Sequence, residues 1–144
     1  MKTLKILLFI IAIINSNKGM SQNIASHQWE NRVLLVLTDA TDTITFQNQI
    51  KELQTQENEL TDRKLIVYQI TKHTYHIGLK DAEWQNASKL YNKYNSANSP
   101  FEVILIGLDG GIKLRQSHLL TCKTLFETID VMPMRKSELK RKRK

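Results

Sequence analysis

Three predominantly apolar runs of strand length constrain this chain more than any other feature. They are Val33-Leu34-Leu35-Val36-Leu37, Leu65-Ile66-Val67-Tyr68-Gln69-Ile70 and Phe101-Glu102-Val103-Ile104-Leu105-Ile106. A run that is apolar at successive positions, as Val33–Leu37 is throughout, implies a strand buried on both faces. The intervening stretches must then supply helices to cover a central sheet.

Those stretches read as follows. Thr38 to Asp42 collects turn and capping residues, and Asp42 or Thr43 can cap a helix to about Leu60. Ile44, Phe46, Ile50, Leu53 and Leu60 fall on one side of it. Residues 71–82 read as irregular, with Gly78 as punctuation. Trp84, Ala87, Leu90, Tyr91 and Tyr94 have helical spacing, which predicts a second helix over 84–94. Gly107-Leu108-Asp109-Gly110-Gly111 predicts a tight hairpin that returns through Ile112-Lys113-Leu114-Arg115. Thr121 can cap a last helix with Cys122, Leu125, Phe126 and Ile129 on one face, stopped by Pro133. The order β-α-β-α-β-β-α makes the first pair parallel and the last antiparallel. A mixed four-stranded sheet flanked by helices, an α/β thioredoxin-like arrangement, is one of the few topologies that fit.

Residues 1–21 read as a signal peptide. Lys2 and Lys5 precede the apolar run Ile6–Ile14, and Gly19 and Ser21 stand at −3 and −1 of a cleavage site. The run falls well short of the ~20 apolar residues of a spanning helix, so no membrane span is expected in the mature chain. The expected product is exported, periplasmic or secreted, and begins near Gln22. No cysteine lies near the cut, which excludes a lipid-anchored N-terminus.

The remaining 123 residues suit one domain over 22–135, with a basic tail over 136–144. Formal net charge is +7 for the whole chain and +4 without the signal. Residues 135–144 alone carry seven basic side chains and one acid, leaving 22–134 at about −2. A uniformly basic binding face is therefore not expected, and the export signal argues against reading the tail as a nuclear address. Lys140, Arg141, Lys142, Arg143 and Lys144 read as a terminal interaction tail. Its expected partners are an envelope or extracellular protein or an anionic polymer, and not nucleic acid. Cys122 is the only cysteine. It rules out an internal disulfide and a CxxC dithiol oxidoreductase.

Four stretches coincide with a known pattern: Trp29-Glu30-Asn31-Arg32, Asp62-Arg63-Lys64-Leu65, the hairpin Leu105–Arg115, and Leu125–Arg135 with its Ile129-Asp130-Val131-Met132-Pro133-Met134-Arg135 ending. Over residues 25–139 the chain resembles the bacterial family called domain of unknown function 4174. It is similar to modules of animal secreted proteins such as equarin and the sushi-repeat proteins. The resemblance implies a thioredoxin-like fold without an established activity, adhesive or matrix roles in the animal relatives, and a peroxiredoxin-like activity as a candidate. It marks Trp29, Arg32, Arg63, Gly107, Asp109, Gly110, Lys113, Arg115, Asp130, Met132, Pro133, Met134 and Arg135. The family usually has lysine where this chain has Leu108, so an anion-binding role there is not carried over.

No catalytic residue and no cofactor is assigned. Cys122 is the thiol candidate for peroxide reduction, since a helix N-terminus favours thiolate. Yet a thioredoxin-type nucleophile sits after the first strand, at Thr38–Thr43 here, and free cysteine commonly packs as a small hydrophobe. His73 and His76 are the metal candidates, with Asp81 and Glu83 nearby, but zinc asks for three or four ligands. His27 and His118 stand alone. Gly107–Gly111 is followed by a strand and not a helix, against a phosphate cradle. Asp130 could accept from Arg135, Arg32 or Arg115 and lock the helix exit, a structural ion pair being the favoured reading. Met132 and Met134 could line a small groove or pack in the core.

Overall fold

In the computed structural model, which describes residues 24–87 and 89–143, the three apolar runs become the middle of a sheet. β1 (Arg32–Thr38), β2 (Leu65–Ile70) and β5 (Phe101–Ile106) are almost wholly buried. β3 (Thr74–Ile77), β4 (Gln85–Asn86) and β6 (Ile112–Gln116) complete six strands in the order β4-β3-β2-β1-β5-β6. β1 runs parallel to β2, and every other pairing is antiparallel. The α/β class and the thioredoxin-like arrangement hold, but the sheet has six strands and not four.

Alternation within each strand builds two cores. Leu34, Val36, Val67, Val103 and Leu105 face one layer, with Phe46, Leu53, Leu60, Leu125 and Ile129 packed on them. That layer is made by α1 (Ile44–Gln54), α2 (Glu57–Asp62) and α4 (Cys122–Asp130). Leu35, Leu37, Tyr68, Ile70 and Ile104 face the other layer, beneath Ile24 and Tyr91. Its cover is thinner: a 3-10 helix at Ile24–His27 and α3 (Leu90–Tyr94).

Local chemistry explains the element ends. Thr43 caps α1 by accepting from the Phe46 N–H, and Thr121 caps α4 through the Thr124 N–H. Lys64 takes a left-handed φ of 51° just past α2, which turns the chain into β2 and leaves Asp62 and Arg63 at the bend. Gly110, at φ 80°, makes the hairpin turn between β5 and β6.

Three expectations are corrected. Residues 74–77 pair with β2 and are not irregular. The 84–94 stretch is not one helix: Gln85 and Asn86 pair with β3, and the Ala87 N–H bonds to the His73 carbonyl. Here strand pairing overrides helical spacing. Pro133 ends α4 but also opens α5 (Pro133–Lys142), where its missing N–H is no loss at the first helical position. Most of the expected basic tail is therefore helix, with Glu138 buried on the domain. The signal-peptide segment lies outside the described residues. Among the described residues, no helix is long and apolar enough to cross a membrane.

Candidate functional site

β1 has a polar cluster at each end, and the two differ in kind. At its first residue, Arg32 is fully buried. One of its terminal nitrogens donates to the Arg63 carbonyl at 2.8 Å and to Glu138 at 3.3 Å. Arg63 forks onto Asp130 at 3.0 and 2.7 Å and onto Glu59 at 2.7 Å, and its guanidinium lies 4.1 Å from the Phe126 ring centroid. Arg135 meets Asp62, Asp130 at 3.3 Å and Glu138 at 3.4 Å, and donates to the Asp62 carbonyl at 2.9 Å. Lys142 closes the set on Asp62. Four cations thus face four anions.

The charges stay in place because each has partners. Burial opposes the charge on Arg63, yet Asp130 and then Glu59 outweigh it and raise its pKa above the ordinary value. Hydrogen bonds from Lys142 and then Arg135 pull Asp62 down to about 2. Among the described residues, Arg32 Nε alone of the buried side-chain atoms here lacks a hydrogen-bond partner. The arrangement is a clamp: bidentate arginine–carboxylate pairs fix position, and they join β1, α2 and α4 to α5. Asp130 receives Arg135 as expected from the sequence, but its second partner is Arg63. Arg32 turns to Glu138 instead, and Arg115 lies elsewhere.

At the other end of β1, the Thr38–Thr43 loop holds itself by hydrogen bonds. Thr38 Oγ1 donates to the Ala40 carbonyl at 2.7 Å, and Thr43 Oγ1 to the same carbonyl at 3.2 Å. Tyr91 donates its hydroxyl to Asp39, and Lys72 lies 3.4 Å from the same carboxylate. Burial, then the Asp39 contact, pushes the Tyr91 hydroxyl up to about 12. Arg115 meets Glu102 at 2.7 Å and the Tyr94 carbonyl at 3.0 Å. Glu102 is 1% exposed, and its second oxygen has no hydrogen-bond partner among the described residues. No sulfur stands in this loop.

The single thiol lies at the start of α4, against α1. Cys122 Sγ donates to the Glu52 carbonyl at 3.4 Å, and the Cys122 N–H donates to the Glu52 carboxylate at 2.9 Å. Burial first, then the Glu52 charge, pushes the thiol up to about 11. These effects oppose the pull of the helix N-terminus toward thiolate.

The remaining candidates separate in space. His73 is exposed before β3, whereas His76 is buried on it, so the helical spacing that would join them on one metal is absent. Among the described residues no group of three or more metal-ligating side chains forms. The Gln69 amide donates to the Gly78 carbonyl at 2.7 Å, and its nitrogen lies 3.2 Å from His76 Nδ1. His27 Nε2 lies 2.7 Å from the Tyr68 hydroxyl, a contact not visible in the sequence. His118 is exposed, and its carbonyl accepts from Gln116. In the hairpin, Lys113 pairs with Asp109 at 2.7 Å, and Leu108 is buried. Trp29 is largely exposed at φ 69°, its N–H bonded to the Leu108 carbonyl at 2.6 Å. Met132 packs on the core, while Met134 is exposed, so the two do not share a groove.

Comparison with known proteins agrees with this architecture. No curated protein matches the chain. Among solved structures, a reduced 2-Cys peroxiredoxin from Plasmodium vivax is similar with a TM-score of 0.58 at 13% identity. That match covers 80% of this chain and 85% of the peroxiredoxin. At that identity the likeness shows the thioredoxin-type fold alone. A family model matches residues 23–138, from the 3-10 helix to the buried Glu138 of the clamp. The chain belongs to the family described as Domain of unknown function (DUF4174).

Proposed function

We propose that the chain is a non-enzymatic binding module, exported and associated with an envelope or extracellular surface. One observation carries the non-enzymatic part: the only thiol is buried, bonded to Glu52 and held mostly protonated, away from the loop after β1. Thiol-based peroxide reduction needs an accessible thiolate. The surface role draws on the resemblance to the animal modules, and export draws on the tripartite pattern of residues 1–21.

The test is peroxide consumption by the wild-type chain and by Cys122→Ser. Equal, background rates are expected. Turnover by the wild type that disappears in the variant would establish a reductase and overturn this reading. Export with cleavage is checked by the N-terminal mass of the exported protein, where an intact Met1 in a membrane fraction is the contrary result.

A second reading, polyanion binding, is favoured by the outer side of α5. Lys136, Lys140 and Arg143 repeat at helical spacing, are exposed, and make no ion pair among the described residues. Arg135, Glu138 and Lys142 meanwhile turn inward to the clamp. Replacing those three outward cations with glutamine should abolish retention on a polyanion at low salt and leave the fold intact. Retention that ignores both salt and the substitutions is the contrary result.

A further inference from the structure

The first half of β2 has no strand beside it on its outer side. The Arg32 N–H donates to the Lys64 carbonyl at 2.8 Å, which sets the parity of the strand. Even-numbered residues of β2 turn their main-chain groups toward β1, and Leu65, Val67 and Gln69 turn theirs outward. β3 meets Gln69 at His76 and reaches Tyr68 at Ile77. The Gly78 N–H then bonds to the Val67 carbonyl at 2.8 Å, and there the pairing stops. Gly78 bends away at φ 95°, and its carbonyl accepts from the Gln69 side chain at 2.7 Å instead of from the Val67 N–H. Gln54 then holds the Leu79 carbonyl at 2.8 Å, drawing the chain toward α1.

Three main-chain groups are left: the Val67 N–H, the Leu65 carbonyl and the Leu65 N–H. None has a hydrogen-bond partner among the described residues, although Val67 and Leu65 are only 4% and 8% exposed. Main-chain groups at such depth are almost always paired. A cleft of about 400 Å³ opens beside them, between α2 and the Ile77–Ala82 segment. Leu60, Leu65, Val67 and Leu79 give it an apolar lining, and Glu57 and Lys80 stand among its polar lining residues.

We propose that this cleft binds an extended peptide segment of another protein, which adds a strand beside β2 in line with β3. The occupant follows from the chemistry of the edge. A donor, an acceptor and a donor succeed one another along a strand, and an extended main chain satisfies all three at strand spacing. The lining selects apolar side chains at alternate positions of the incoming strand. Glu57 and Lys80 carry opposite charges, so a segment without net charge suits it. The inference rests on the binding-module reading and names the class of ligand.

The test uses ¹⁵N-labelled protein and a capped heptapeptide of alternating threonine and valine. At millimolar peptide, the Leu65 and Val67 amides should shift and exchange about tenfold or more slowly than in the free protein. The fully N-methylated peptide, with the same side chains and no main-chain N–H, should do neither. Thr61→Trp, placed on the exposed side of α2 where it fills the cleft, should abolish the effect without altering far-UV circular dichroism. No change at Leu65 and Val67, an equal effect from the N-methylated peptide, or protection of these amides before peptide is added overturns the proposal. Protection that grows with protein concentration alone overturns it too, and places a second copy at the edge. Peroxide consumption is unaffected by any of these outcomes, so failure of this site and failure of the non-enzymatic reading are distinguishable.

Discussion

The two ends of β1 lie about 20 Å apart along one strand, and they use polar residues for opposite purposes. At Arg32, four cations and four anions saturate one another and fasten the C-terminal helix to the sheet. At Thr38, a self-bonded loop and the Tyr91–Asp39 and Arg115–Glu102 pairs leave one buried oxygen of Glu102 without a partner among the described residues. On a thioredoxin-like scaffold the second end is where a reactive group would stand. In this chain the dense charge sits at the first end instead, where it joins α5 to the sheet. Perturbed ionisable groups are thus a poor guide to reactivity here, because structural ion pairs perturb them as strongly as catalysis does.

Breaking the first end should have the largest effect. Arg135→Met takes one cation from the buried Glu138 and from the partly exposed Asp62 and Asp130, which keep Arg32, Lys142 and Arg63. A loss of about 2–3 kcal/mol is expected in urea denaturation, below the full cost of an unpaired buried charge because solvent screens two of the carboxylates. Arg135→Lys should rescue it poorly, since an ammonium cannot fork between carboxylates. A loss below about 1 kcal/mol would show that the clamp is slack.

Acid should weaken the same end next. The folded pKa of Asp62, about 2, lies below its ordinary 3.8. Its contribution is therefore present above the ordinary value and is lost as pH falls through the folded one. Helicity of α5, followed by NMR, should decline over that window, and Asp62→Asn should remove this acid step. Asp62 and Lys142 are partly exposed, so added salt should weaken the pair at neutral pH.

Much of the fold was legible because its signals are local. The three apolar runs, the Thr43 and Thr121 caps and the Asp109-Gly110 turn each act within a few residues. β3 was missed because Thr74-Tyr75-His76-Ile77 is short and mixed, and its pairing with Tyr68–Ile70 is set by tertiary contact. α5 was missed for a different reason. Arg135, Glu138 and Lys142 keep helical spacing, but the buried side is charged, and an amphipathic pattern is sought in apolar residues. Of the clamp, the Asp130–Arg135 contact was visible at short range. Arg63 and Glu138, 67 and 106 residues from their partners, were not.

The second end should respond more weakly. Tyr91→Phe removes the hydroxyl that serves Asp39 and, at 3.3 Å, the Ser99 carbonyl. A cost of about 1 kcal/mol is expected, with α5 undisturbed. Smallest of all should be the reactivity of Cys122 toward iodoacetamide at neutral pH. With its thiol near 11, alkylation of the folded protein should lag far behind that of the unfolded chain. Comparable rates would return the thiol to consideration as a reactive group.

Amide hydrogen exchange across α5 tests most directly whether the charged network serves structure. If the clamp joins α5 to the domain, the Leu139 amide should exchange only with the opening of the core strands, and Arg135→Met should release it selectively. Exchange of that amide at the rate of a frayed terminus in the wild-type protein would contradict the account.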